Sequence, residues 1–225
     1  ITTSKPLEKI NYINSSSDII GLTVSSEDEL FVHERNGYIK RYNSEGTLIK
    51  EYPHTIDLIA MCWYEGSLYA YDAVKTQIVS MNIEDGTITP VSENLEVEMI
   101  QNFTVAGNYL YLLAIPEVEQ YNVTRLYQID ITSGKIRDTN EENILAVYGA
   151  SDGTLYYYAN RDNAYALYTY DSAKGNSQKL YDMNGIGQIS AFVYENDYMI
   201  FSPLTEPCLR AIKSSENFDA VLDKD

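Results

Sequence analysis

The sequence predicts an all-β fold, a β-propeller with about five four-stranded blades. A pattern of four short strands recurs along the 225 residues, and a period of about 40 to 45 residues with four strands is typical of propeller blades. Glycines recur at one turn of the pattern. The composition favours strands, with 21 Tyr and no sustained apolar period of 3.6 residues.

The repeat is measured from the residue that follows its first turn. These residues are spaced by 38, 42, 45 and 44 positions: Leu30, Leu68, Leu110, Leu155 and Met199. The repeats span approximately residues 19–57, 58–99, 100–143, 144–188 and 189–225. We therefore interpret residues 1–225 as a single propeller domain.

Each repeat is predicted to contain four strands joined by polar turns. In the first repeat they lie at 19–24, 30–32, 38–42 and 47–52, and in the second at 58–63, 68–71, 78–83 and 87–91. In the third they lie at 100–105, 109–115, 125–131 and 135–137, and in the fourth at 144–148, 155–159, 166–170 and 177–181. The fifth, the most degenerate, has them at 189–194, 198–202, 209–213 and 218–222.

The third turn of each repeat needs a residue that tolerates positive φ. It carries Gly46, Gly86, Gly134 and Gly175 in the first four repeats, and Asn217 in the fifth. Asn is the other residue that adopts this conformation readily. The turns therefore support the same repeat boundaries as the spacing does.

The N-terminal segment is predicted to help close the propeller. Residues 7–13 resemble a fourth strand, and an outer strand from one terminus would remove a free sheet edge. Residues 1–18 are then a closing strand and linker. Because residues 218–222 also offer an outer strand to the fifth repeat, either one of the two segments is not a strand or a sixth blade is missing.

Two segments resemble known propeller repeats. Residues 36–52, from Asn-Gly-Tyr-Ile-Lys to Lys-Glu-Tyr, are similar to NHL-type repeats, and residues 126–136, with Asp-Ile-Thr-Ser-Gly-Lys, resemble YVTN- and quinoprotein-type blades. The Trp-Asp pair of WD40 blades and the double glycine of kelch blades are missing. The resemblance is at the level of the fold, and it implies an extracytoplasmic bacterial protein, either secreted or at the cell surface, and lipoprotein-like.

The chain is acidic, with 16 basic and 33 acidic residues and a net charge of −17. Nucleic acid is excluded as a partner, because phosphate binding needs a basic surface. An anionic membrane surface is disfavoured for the same reason. The longest apolar run has seven residues, too few for a transmembrane segment. No cofactor is expected, although an acidic surface could hold Ca²⁺.

Conventional catalytic motifs are missing. The only histidines are His33, predicted in a strand, and His54, in a loop between repeats. We expect both to be exposed and neither to be catalytic, since no Gly-x-Ser-x-Gly motif accompanies them. No metal site is expected from two His and the separated Cys62 and Cys208, and a disulfide between these cysteines is not deducible. Carboxylates from several repeats could still converge at a propeller channel.

The leading interpretation is a non-catalytic module, a monomer or a domain of a larger protein, that binds a protein or a carbohydrate. The alternative is a metal-dependent hydrolase or lyase, similar to lactonases or cyclotransferases, with channel carboxylates. The third repeat has about six extra residues at 116–124, and such insertions collect on the binding face. The predicted binding residues lie in loops expected on that face: Arg35, His54, Asp57, Asp72, Glu119, Tyr121, Arg161, Asp162 and Glu206.

Overall fold

A computed structural model describes residues 15, 17–54, 56–116, 123–195, 198–205 and 208–213. Every regular element in these ranges is a β-strand. The strands form five antiparallel sheets, one for each predicted repeat, and in each sheet the strands are neighbours in the order of the sequence. This blade arrangement confirms the predicted all-β propeller class.

The first two sheets are formed from the N-terminal part of the chain. The first contains β1 (Ile19–Val24), β2 (Leu30–Glu34), β3 (Tyr38–Tyr42) and β4 (Leu48–Pro53). The second contains β5 (Leu58–Tyr64), β6 (Ser67–Asp72), β7 (Gln77–Asn82) and β8 (Ile88–Asn94). Successive strands pair directly across short turns, as expected for β-meanders.

The remaining three sheets follow the same plan. The third contains β9 (Val97–Ala106), β10 (Tyr109–Pro116), β11 (Arg125–Asp130) and β12 (Ile136–Glu142). The fourth contains β13 (Ile144–Gly149), β14 (Leu155–Arg161), β15 (Ala164–Asp171) and β16 (Asn176–Asp182). The fifth contains β17 (Ile189–Glu195), β18 (Tyr198–Pro203) and β19 (Arg210–Lys213). The strands expected at 218–222 and 7–13 lie outside the described residues.

Sequence and position explain which strands are buried. The central strands β6 and β10 are buried along almost their whole length, and their runs of Leu, Tyr and Ala supply apolar side chains to both faces. The outer strands β4 and β16 consist of exposed and partly buried residues apart from the buried Tyr52, and several of the exposed and partly buried residues are charged. This charge suits a sheet edge, where it discourages pairing with another chain.

The third-turn glycines adopt the backbone conformation that the sequence predicts. Their φ angles are 81° at Gly46, 79° at Gly86, 71° at Gly134 and 68° at Gly175. This is the left-handed region that Gly occupies more readily than residues with a Cβ atom. Asn217 lies outside the described residues.

Contacts within the chain divide it into two compact units. One holds the first two sheets and the turn at 132–134, and the other holds the rest of the third sheet with the fourth and fifth. In the first unit, Phe31, Ile39 and Tyr52 pack against Met61 and Leu68. The single-domain organisation stays a prediction.

The second unit has two apolar clusters. One includes Tyr111, Leu126, Ile144, Tyr157 and Tyr170. The other joins the fourth and fifth sheets through residues that are buried: Ala146, Tyr158, Leu167, Met183, Ile189, Phe192, Tyr194, Met199, Phe201 and Ile212. Many of the 21 tyrosines thus fill the core with their rings.

Strands β9 and β13 approach each other closely at a glycine. A Cβ atom on Gly149 would lie 1.7 Å from the carbonyl oxygen of Val105. The Gly149 N–H donates a hydrogen bond to Thr104 Oγ1 at 3.1 Å. Gly149 has no positive φ, so this position needs glycine because of space rather than backbone conformation.

Two further sequence expectations concern cysteines and membrane spans. Cys62 is buried as predicted, Cys208 is exposed, and no disulfide joins them. In the part of the chain that the structure describes, no helix is present that is long and apolar enough to cross a membrane.

Candidate functional site

One end of each sheet gathers the segments that the sequence predicts to bind partners. We call it the loop end: the end where the first and third strands of a sheet begin and its second strand finishes. Four backbone hydrogen bonds hold the residue before the first strand to the end of the second strand or to the residue after it. They run from Arg35 N–H to Asp18 O, from Ala73 N–H to Asp57 O, from Asn160 N–H to Asn143 O and from Leu204 N–H to Gln188 O, at 2.8–3.1 Å. The loop ends are therefore held by main-chain contacts.

The structure places six of the nine predicted binding residues. Arg35, His54, Asp57 and Asp72 lie at loop ends in the first unit, whereas Arg161 and Asp162 lie at the loop end of the fourth sheet. Glu119, Tyr121 and Glu206 lie outside the described residues. The role of all nine in binding stays a prediction.

Two of these residues sit at strand ends rather than in loops. Asp72 is the last residue of β6, and Arg161 is the last residue of β14. The β14–β15 turn is formed by Asp162 and Asn163 alone, with φ angles of 53° and 62°. Two consecutive left-handed residues are typical of a tight hairpin turn, so the fourth repeat has a shorter loop here than the sequence predicts.

The two histidines form a pair at the loop end of the first sheet. Their Nε2 atoms are 3.1 Å apart, and their ring centroids are separated by 5.0 Å. His54 Nδ1 lies 2.9 Å from the carbonyl oxygen of Ile56. His54 is half-buried, but His33 is only 1% exposed, so the prediction that both are exposed is wrong. His33 lies opposite Gly21 of β1, and its Cβ is 3.4 Å from the place where a Cβ on Gly21 would lie.

The surroundings of His33 favour its neutral form. Burial lowers the pKa of His33 to about 4, the adjacent His54 acts in the same direction, and the carboxylate of Asp57 acts in the opposite one. His33 Nδ1 has no hydrogen-bond partner. At neutral pH the ring therefore has a nitrogen lone pair available.

Asp72 and His54 line a cleft of about 310 Å³ in the first unit. Asp72 is 1% exposed. One carboxylate oxygen, Oδ1, accepts hydrogen bonds from the backbone N–H groups of Val74 and Lys75, whereas Oδ2 has no partner. Oδ2 is thus a buried acceptor whose hydrogen-bonding capacity the described residues leave unused.

Arg161 is held in a network that sequence analysis missed. Its guanidinium pairs with Glu141 and lies over the ring of Tyr168, 4.6 Å from the centroid. Glu141 also accepts hydrogen bonds from Tyr157 at 2.9 Å and Ser177 at 2.6 Å. Burial alone would raise the pKa of Glu141, but the hydrogen bonds from Ser177, Arg161 and Tyr157 outweigh it and lower that pKa. These contacts join strands β12, β14 and β16, so they stabilise the fold.

A second cleft, of about 520 Å³, lies at the loop ends of the third and fourth sheets. We call it the amide cleft. Its polar lining consists of Gln101, Thr124, Asn143, Asn160, Asp162 and Asn163. The backbone is fixed here, because Asn143 N–H donates to Thr124 O and Thr124 Oγ1 donates to Ile144 O. Within the described residues, the four side-chain amides make no hydrogen bonds of their own.

Comparisons with known proteins identify the fold but no family. No family model matches the chain. A search of curated proteins also gives no match. Solved structures do match. Hydrazine synthase of Kuenenia stuttgartiensis aligns with a TM-score of 0.60 at 12% identity, over 93% of this chain and 67% of that one. The chain has a β-propeller fold.

Two further solved structures extend the range of functions. A catalytically inactive virginiamycin B lyase from Staphylococcus aureus, with quinupristin, aligns with a TM-score of 0.58 at 16% identity, over 91% of this chain and 73% of that one. A nidogen/laminin complex aligns with a TM-score of 0.59 at 12% identity, over 81% and 73%. Enzymes and binding proteins thus share the fold, so the fold alone does not distinguish a catalytic function from a binding function.

Proposed function

We propose that this chain is a non-catalytic, extracytoplasmic binding module that recognises a protein partner at its loop ends. The observation that carries the proposal is the amide cleft, where Gln101, Asn143, Asn160 and Asn163 surround an open space. A primary amide offers a donor and an acceptor side by side. A peptide group presents the complementary pair, so an extended peptide segment suits this lining.

Two further observations support a protein partner. The lining has no histidine and no nucleophilic cysteine, and its hydroxyl, Thr124 Oγ1, already donates to a backbone carbonyl. One similar solved structure is a nidogen/laminin complex. Secretion or display at a cell surface is part of the proposal and follows from the resemblance to extracytoplasmic propeller repeats.

The test is a selection from a phage-displayed random peptide library, followed by affinity measurement on variants. Gln101→Ala and Asn160→Ala should each weaken a selected peptide about fivefold or more, the effect of losing about 1 kcal/mol. Gln178→Ala, an exposed amide on β16 outside the cleft, is the control and should leave the affinity unchanged. Selected peptides that bind all variants with equal affinity would contradict the proposal. A carbohydrate array would also contradict it if only a carbohydrate, and no peptide, bound more weakly to the cleft variants.

The second candidate is the metal-dependent hydrolase or lyase. The pair His33 and His54, with Asp57 acting on it and Asp72 at the adjoining cleft, is the observation that favours it. An enzyme that holds Ca²⁺ or Mg²⁺ should be stabilised thermally by either ion. Unchanged melting temperatures at millimolar concentrations of both would argue against this candidate.

A further inference from the structure

The histidine pair has the geometry of two ligands that share one metal ion. A carbonyl oxygen only accepts hydrogen bonds, so the ring nitrogen that contacts it must carry the proton. The 2.9 Å contact with Ile56 O therefore places the proton of neutral His54 on Nδ1. Nε2 of His54 therefore presents its lone pair to His33. A histidine whose other nitrogen donates to a backbone carbonyl is the arrangement that orients metal-binding imidazoles.

The separation of the two Nε2 atoms fits such an ion. Zinc binds imidazole nitrogen at about 2.0–2.1 Å, so two tetrahedral ligands lie about 3.3 Å apart. The observed separation is 3.1 Å, and a shift of a few tenths of an ångström would admit the ion. The ring planes are tilted by 58°, so the rings meet by their edges rather than by their faces.

The environment of the pair supports a cation. His33 is buried, and an imidazole binds a metal ion through the lone pair of its neutral ring. When an ion occupies Nε2 of His33, the ring proton moves to Nδ1, which has no other partner. His54 is half-buried and lines a cleft, which gives the ion a route from solvent.

We infer that His33 and His54 together bind one divalent transition-metal ion of the class that prefers imidazole, such as Zn²⁺, through their Nε2 atoms. Water completes the coordination sphere, because the described residues hold no group of three or more His, Cys, Asp or Glu side chains that could bind a metal. A site with two protein ligands keeps open positions. The inference does not depend on peptide binding at the amide cleft.

The test uses the full chain, freed of metal by chelation and titrated with Zn²⁺. Since the chain has only two histidines, long-range ¹H–¹⁵N spectra of the imidazoles report this site alone. We expect one Zn²⁺ per chain and a change in the Nε2 resonances of both rings. Millimolar Ca²⁺, which prefers oxygen ligands, should leave those resonances in place.

Variants then separate the imidazole site from the acidic surface. His54→Ala should lower the affinity for Zn²⁺ at least tenfold and abolish the rise in melting temperature that Zn²⁺ gives the unaltered chain. Asp85→Ala, in the β7–β8 turn, is the matched control and should leave both unchanged. Unchanged Nε2 resonances at saturating Zn²⁺ would overturn the inference, as would full affinity in folded His54→Ala. The spectra of the unaltered chain decide the question even if a variant fails to fold.

Discussion

The contact between β9 and β13 gives a sharp test of packing in the second unit. Gly149→Ala adds one methyl group at a position where the nearest backbone oxygen, of Val105, would be 1.7 Å away. The matched control is Gly21→Ala in β1, where the new Cβ would lie 3.4 Å from His33 Cβ, an ordinary van der Waals distance. Neither glycine has a positive φ, so the pair isolates steric overlap from backbone strain.

The magnitude follows from the overlap. Real Cβ contacts are almost never shorter than 3.0 Å, so β9 and β13 must separate by about 1.3 Å, the difference between 3.0 and 1.7 Å. Overpacking of this kind costs about 1–3 kcal/mol. Loss of the hydrogen bond from Gly149 N–H to Thr104 Oγ1 adds about 1 kcal/mol. We therefore expect Gly149→Ala to lower the free energy of unfolding by about 2–4 kcal/mol.

The assay is reversible unfolding in urea together with thermal melting. For a chain of this size, about 2–4 °C per kcal/mol predicts a fall in the melting temperature of roughly 4–16 °C for Gly149→Ala. Gly21→Ala should leave it unchanged or raise it slightly, because alanine restricts the unfolded chain more than glycine does. A Gly149→Ala protein as stable as the unaltered chain would refute the close approach of the two strands.

Two further changes test the Glu141 network and the loop of the third repeat. Glu141→Gln should lower stability at neutral pH by about 1–2 kcal/mol, since it removes a charge that accepts three hydrogen bonds. Because the pKa of Glu141 is lowered in the folded state, its contribution is complete above pH 4.5 or so and is lost as the pH falls below that value. Urea unfolding at pH 7 and pH 3 should therefore show a difference in unfolding free energy between variant and unaltered chain that is smaller at pH 3, and an equal difference at both pH values would contradict the role of the charge. Tyr121→Ala should weaken a peptide selected on the chain by more than about 1 kcal/mol, and unchanged affinity would show that the loop at 116–124 is not part of the binding face.

Much of the fold could be predicted because its signals are local. The turn glycines and the alternation of apolar residues place most strands within one or two residues of their observed ends. Strand β9 is an exception, since it begins at Val97 rather than at residue 100. Its first three residues, Val97 to Met99, are exposed or partly exposed. Val97 and Met99 pair with Pro116 and Ile115 of β10, and no local pattern reveals this pairing.

The candidate site was harder to predict because its contacts are not local. His33 and His54 are 21 residues apart and meet because β3 and β4 return the chain to the end of β2. Gly21 in β1 pairs with His33 in β2, and a glycine opposite His33 indicates that the space beside the imidazole is left open by the missing side chain. The Glu141 network draws on three strands, and no spacing rule relates its members. At the loop end of the second sheet, the Ala73 N–H donates a hydrogen bond to Asp57 O, a contact that the sequence analysis did not predict.

The order of strands within each sheet bears on how the protein is made. Every described strand pairs with the one synthesised immediately before or after it, so a sheet needs no residue from later in the chain to complete its hydrogen-bond ladder. Closing such short loops costs little entropy. A nascent chain that has left the ribosome as far as Asn94 already contains two whole sheets, β1–β4 and β5–β8, and the apolar cluster that joins them. Folding can thus keep pace with translation, sheet by sheet, and few apolar strands need remain exposed to other chains while synthesis continues.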